Sequence, residues 1–357
     1  MKTYIKFLLN LFNVSFIKIF FIFFMIIILT TILEQVEFFK NVELNFIYLI
    51  FLSLLNAPSI IFEILPFIFL ISTQIFFINL IDKNELEIFK YTGLNNLKIV
   101  KIISIYTFIL SLVLIFIFYN LSAILKNSYL TIKNEYANDG KYLAVITENG
   151  LWIKDEIKEN INIINANKVD GEFLLNVTIT QFDKNFEILR VIQSNKVNIS
   201  NYTWKILEPR ISEENTKTIA KVMELQSNFD LKKINSLFSN LSSLTMFELF
   251  KLRESYKSLN YSISEIDSHL YKIFTYPLYL TLITIFSSII MFNIGYKKNT
   301  LFKIIFGILL SVIIYYVNYF FYILGISEKI PLILSIFFPL IILSIINFTS
   351  IIRLNEK

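Results

Sequence analysis

Residues 57–95 read APSIIFEILPFIFLISTQIFFINLIDKNELEIFKYTGLN, and the change of character partway through decides the fold. Up to Ile81 the only charge is Glu63. Then Asp82, Lys83, Glu85, Glu87 and Lys90 crowd together before Gly93. A helix crosses a bilayer core with ~20 apolar residues, so the first part reads as a span and the second as a short charged connection. Upstream the apolar run begins at Leu44. As one helix, residues 44–81 would reach roughly 57 Å at ~1.5 Å per residue, too long for a single crossing. Pro58 and Pro66 break the run, giving an expected interfacial segment over 44–57 and a second span over 58–81.

The rest of the chain has the same texture at both ends. It is 55% hydrophobic over 357 residues, which excludes an ordinary soluble globule. Residues 11–33 form a first span interrupted only by Lys18, and residues 99–125 a third carrying only Lys101. Residues 273–294, 304–327 and 330–352 are free of charge, making six spans arranged three plus three. The first is read as a retained span rather than a cleaved signal, because no small-residue cleavage site follows it. Lys2, Lys6, Lys83, Lys90, Lys98, Lys297, Lys298, Lys303, Arg353 and Lys357 fall at one set of ends. The opposite short loops hold only Lys40 and Lys329. The excess of Lys and Arg on cytoplasmic loops then puts both termini and the charged connection in the cytoplasm.

Between spans three and four the signals turn to β. Strands are expected over 150–153, 161–166, 177–182, 188–194, 196–199 and 203–207, separated by polar turns such as Asp183-Lys184-Asn185. Val177, Ile179 and Gln181 alternate with Thr178, Thr180 and Phe182, as on a half-buried strand. Short antiparallel strands at this spacing predict a sandwich or jellyroll. The expected fold is therefore a polytopic α-helical membrane protein with an extracytoplasmic all-β, jellyroll-like insert. The divisions are 1–125 for spans one to three, with a cytoplasmic helix at 82–93, then 126–240 for the insert and 241–357 for the return helix and spans four to six. Thr245-Met-Phe-Glu248 has the form of a capping box with Leu244 and Leu249 as its staple, and Ser262-Ile-Ser-Glu265 repeats it. Trp152 and Trp204, both on expected strands, read as core.

A search for catalysis finds little. No G-x-x-x-x-G-K-[ST] loop is present, so ATP is not hydrolysed by that route. One histidine and no cysteine leave no zinc site or Cys/His nucleophile, and no cofactor is expected. His269, on the approach to span four, reads as structural. Charges inside lipid are costly and mark candidates. Two readings stand for Lys18: snorkelling to the interface, or contact with an anionic ligand. Glu63 is open between a hydrogen-bonded structural role and a functional one. Glu34, Glu37 and Lys40 crowd the outer end of span one, as a solvated helix end would.

Several segments together resemble one family. The Pro…Glu-x-Leu-Pro…Glu-Leu…Gly pattern of residues 57–95 is similar to that of the LptF/LptG lipopolysaccharide export permeases. ENGLWIKD with INIINANKVDG looks like the opening periplasmic strands of the LptG branch. LSSLTMFELFKLRESYKSLNYS, YPLYLTLITIF and GISEKIPLILSIFFP resemble the helical return and spans four and six. The resemblance implies a non-enzymatic, multi-pass subunit of the bacterial inner membrane with its jellyroll in the periplasm. Its implied partners are a homologous second permease, two cytoplasmic ABC ATPase subunits that hydrolyse ATP, a single-span periplasmic bridge protein, and lipopolysaccharide; nucleic acid is not among them. The charged connection becomes the helix that couples to the ATPase through Glu85, Leu86, Glu87, Phe89 and Gly93. Lys18, Glu34, Lys40, Glu63, Lys126 and Lys133 become candidates for the lipid path. Alternatives are a permease for lipoproteins or another lipid-linked glycan, and an intramembrane enzyme modifying a lipid-linked sugar. The enzyme would need a convergent set of charged residues at one membrane face.

Overall fold

The computed structural model describes residues 3–40, 44–136, 151–157, 160–184, 186–213, 216–231, 233–234, 240–258, 261–293 and 300–355. The expected strand start at Gly150 lies outside them, as do Lys297 and Lys298. The chain divides into a helical unit, Met1–Lys126 with Ser264–Lys357, and a second unit, Asn127–Ile263, that carries the sheet.

Among the described residues, six helices are long and apolar enough to cross a membrane: Thr3–Phe38, Phe46–Asp82, Asn96–Lys133, Ser264–Phe292, Ile304–Ile326 and Leu332–Arg353. We label α1 Thr3–Phe38, α2 Phe46–Asp82, α3 Glu85–Tyr91, α4 Asn96–Val113 and α5 Asn120–Tyr136. After the sheet come α6 Met246–Ser258, α7 Ser264–Asn293, α8 Thr300–Ile326 and α9 Leu332–Asn355.

The division expected at the prolines is wrong. α2 runs unbroken through Pro58 and Pro66. A proline leaves the carbonyl four residues back without its N–H donor. For Pro66 that carbonyl is Phe62, and the Tyr276 hydroxyl of α7 donates to it at 2.5 Å. Re-satisfaction by a neighbouring helix is what lets proline persist inside a spanning helix. Lower down, Ser287 of α7 donates to the Leu70 carbonyl at 2.9 Å, and Asn347 of α9 to the Leu282 carbonyl at 2.9 Å. Side-chain donors on main-chain carbonyls thus tie α2, α7 and α9 together.

Span three is not a uniform helix either. Between α4 and α5 lies a π-helical segment, Leu114–Tyr119, and the helix then continues to Tyr136, past the expected end at 125. Asn120 Nδ2 caps the Phe116 carbonyl at 2.8 Å within this irregular stretch.

The strands of the second unit are β1 Leu151–Ile157, β2 Asn160–Asp170, β3 Phe173–Phe182, β4 Ile188–Asn198, β5 Thr203–Leu207, β6 Arg210–Glu213, β7 Thr216–Ile219 and β8 Val222–Gln226. They form one antiparallel sheet in the order β1-β2-β3-β4-β5-β8, with β6 pairing β4 and β7. The two strands expected over 188–199 are one, because Ser194 Oγ accepts from Lys196 N at 3.2 Å and carries the ladder past Asn195. β6 to β8 have no sequence counterpart, being short and mixed in charge. Val177, Ile179 and Gln181 are buried, as the alternation required. Gln181 bridges neighbouring strands: its Nε2 donates to Asn162 Oδ1 at 2.6 Å, and Arg190 Nε donates to its Oε1. Trp204 is fully buried and donates to the Phe229 carbonyl at 2.7 Å. Trp152 is not core: with Leu151 and Ile153 turned inward, period two leaves it 56% exposed.

The first capping box forms, with Thr245 N donating to Glu248 Oε2 at 2.8 Å and Glu248 N to Thr245 Oγ1 at 3.4 Å. α7 opens at Ser264, whose hydroxyl donates to Glu328 at 2.7 Å.

Candidate functional site

The charged connection folds as α3, a helix of 7 residues. Its start is Asn84, at φ 56, a conformation asparagine tolerates better than most residues. Its end is a Schellman motif: Gly93 N donates to Lys90 O at 3.0 Å and Leu94 N to Phe89 O at 2.9 Å. Gly93 sits at φ 84 with open space where a Cβ would stand, so the backbone angle alone demands glycine. Glu85 and Glu87 occupy the first turn and Lys90 the last, matching the helix dipole.

The turn of α3 sorts its side chains. Leu86 is fully buried, which corrects its expected place on a partner-facing surface: its apolar side chain is already spent on this chain's own core. Phe89 is half-buried, with its ring 6.0 Å from that of Phe7 on α1. The outward side presents Glu87, Ile88 and Tyr91, the last 90% exposed. Glu85 is half-buried, and its Oε2 is shielded without a hydrogen-bond partner among the described residues.

A second polar site lies within the apolar spans. Glu63 of α2 and Lys272 of α7 line one cavity of about 90 Å³, with Tyr276, Tyr279, Tyr315 and Asn318 among its walls. The Lys272 ammonium stands 5.4 Å from the Tyr322 ring centroid, a cation–π distance. The Glu63 carboxylate acts electrostatically on both Lys126 and Lys272. Nearby, Tyr119 at the end of the π segment meets His269 Nε2 at 3.2 Å, which ties the lone histidine to span three.

Of the expected lipid-path residues, Glu63 lines this cavity, while Lys126 is not among its walls. Lys18, Glu34 and Lys40 are exposed along α1 and just beyond it, away from that cavity's walls. Lys133 Nζ donates to the Tyr129 hydroxyl one turn earlier on α5, at 2.9 Å. Lys272 is the residue sequence reading passed over: the fourth span was drawn from Ile273, one position short of it. The available signal was a single charge abutting a charge-free span. Among the described residues, no group of three or more His, Asp or Glu is placed to hold a metal.

Among the described residues, six long apolar helices with a sheet inserted between the third and fourth define a polytopic membrane protein. The family model for the lipopolysaccharide export system permease LptF/LptG matches residues 6–353. The chain belongs to that family, whose members are permease components. No curated protein matches the sequence.

Proposed function

We propose that this chain is the transmembrane subunit of an ABC exporter that extracts lipopolysaccharide from the inner membrane and passes it to a periplasmic bridge protein. The family match across residues 6–353 carries this reading. ATP is hydrolysed by two separate cytoplasmic subunits, in keeping with the missing phosphate loop. A homologous second permease completes the membrane portion, across the apolar faces of α1 and α8. Those faces display Leu29, Leu33, Tyr316 and Phe320 to the surroundings. The basic loop ends favour cytoplasmic termini, a cytoplasmic α3 and a periplasmic sheet.

Coupling runs through α3. Glu87, Ile88 and Tyr91 form the outward ridge, while Phe89 and Gly93 fix its pose. A shielded, unpaired carboxylate oxygen such as that of Glu85 costs ~1–3 kcal/mol or more, and a donor from a docked ATPase would offset this through a charge-assisted hydrogen bond. Purification from the native host in detergent should bring a soluble ATPase with the chain. Glu85→Lys and Glu87→Lys should each lose that ATPase while still inserting into the membrane; normal recovery in both variants would overturn the coupling assignment. Undisturbed delivery of lipopolysaccharide to the outer membrane after depletion of the protein would overturn the substrate.

A further inference from the structure

Glu63 is the only charge between residues 44 and 81, and a carboxylate held in an apolar span is costly unless it does something there. Its cavity, about 90 Å³, is far smaller than the ~300–1,000 Å³ of ordinary ligand pockets. That volume leaves no room for acyl chains but suits a group the size of a headgroup anion. Both Glu63 and Lys272 are exposed. Lys272 is steadied by the Tyr322 ring, and the Tyr276 hydroxyl is committed to Phe62. Glu63 and Lys272 therefore face one cavity with opposite charges.

We propose that Glu63 is the counter-anion of Lys272 across this cavity until the phosphate monoester of a lipid headgroup displaces it. The displacement follows from charge. A phosphate monoester carries about −1.5 to −2 at neutral pH, against one negative charge on Glu63 or on a phosphodiester. Coulomb attraction scales with that charge, so the Lys272 ammonium prefers the monoester over the carboxylate but gains little from a diester. Glu63 would thus set a threshold that ordinary phosphodiester lipids fail to pass. The lipopolysaccharide version of this rests on the function proposed above; the exchange itself does not.

The test uses the full chain, purified from native membranes and reconstituted in nanodiscs. Three probes are compared: bisphosphorylated lipid A, phosphatidic acid (a monoester on a non-glycosylated lipid) and phosphatidylglycerol (a diester). Glu63→Gln, nearly isosteric, should raise affinity for both monoester lipids by roughly fivefold or more and change phosphatidylglycerol much less. Adding Lys272→Gln should cancel the gain, and Lys272→Gln alone should weaken monoester binding. A gain for phosphatidic acid with no lipid A binding by either chain supports the exchange and removes the lipopolysaccharide reading. Lipid A binding that Glu63→Gln leaves unchanged or weakens overturns the proposal, as does an equal gain for the diester. So does unaltered monoester binding by Lys272→Gln, a readout that does not depend on Glu63→Gln folding well.

Discussion

The helical unit and the sheet unit use the same apolar residue types in opposite directions. In the sheet unit Leu151, Ile179, Val197 and Trp204 turn inward, and polar groups that follow them inside pair with one another, as Asn162, Gln181 and Arg190 do. In the helical unit Leu29, Leu33, Phe116 and Ile117 turn outward. There the buried hydroxyls and amides of Ser287, Tyr276 and Asn347 seek main-chain carbonyls of other helices. The difference follows from the solvent. Water rewards burial of apolar area, whereas lipid leaves close packing and interhelical hydrogen bonds to hold helices together. Core residues should therefore dominate stability in one unit and a few polar contacts in the other.

Trp204→Ala should show the largest effect, about 3–5 kcal/mol off the sheet unit, read as a lowered denaturant midpoint by limited proteolysis of the full chain. Leu33→Ala, at an outward position 70% exposed, should leave the midpoint nearly unmoved. Equal losses from the two would dissolve the contrast.

Next comes Asp155, fully buried on β1, accepting from Asn228 Nδ2 at 2.8 Å and Asn228 N at 3.2 Å. Burial pushes its carboxyl above the ordinary value of 3.8, while hydrogen bonds from Ser227 and Asn228 and the charge of Lys233 pull it back. The folded state thus holds the proton more tightly than the unfolded chain does. This contribution to the sheet unit's stability is present below the ordinary value and is lost as pH rises through the folded value. Asp155→Asn should flatten that slope in melts taken upward from the ordinary carboxylate value of 3.8; an unchanged slope would move the cause elsewhere. Against the same strand, the Tyr261 hydroxyl is pushed by burial up to about 12; it donates to the β1 residue Lys154 at its O and accepts from its N, both at 3.0 Å.

The smallest expected effect lies in the bundle. Tyr276→Phe removes the donor to Phe62 and should cost about 1 kcal/mol, seen as a lowered melting temperature in detergent with the helical signal intact. A loss as large as that of Trp204→Ala would mean that polar ties in lipid rival a packed aqueous core.

Much of this was legible from the chain alone. Six spans followed from charge-free length, β5 from its pattern, and the start of α6 from Thr245 and Glu248. What escaped depends on partners far away in sequence. Pro66 reads as a breaker until Tyr276 supplies the missing donor, and Leu86 reads as surface until its helix is seen against α2. Lys272 was lost at a boundary drawn one residue late. Which charged side chain shares a cavity with Glu63 depends on how the spans pack, and no local pattern records that.

The π segment at 114–119 has a consequence for any comparison along span three. One extra residue in a helical turn advances every later side chain by about 100°, so the halves of this span cannot share one helical wheel. Tyr119 reaches His269, and Lys126 the field of Glu63, in the shifted phase. Removing a single residue there would restore a plain α-helix and swing both toward a different neighbour, leaving composition and hydropathy almost untouched.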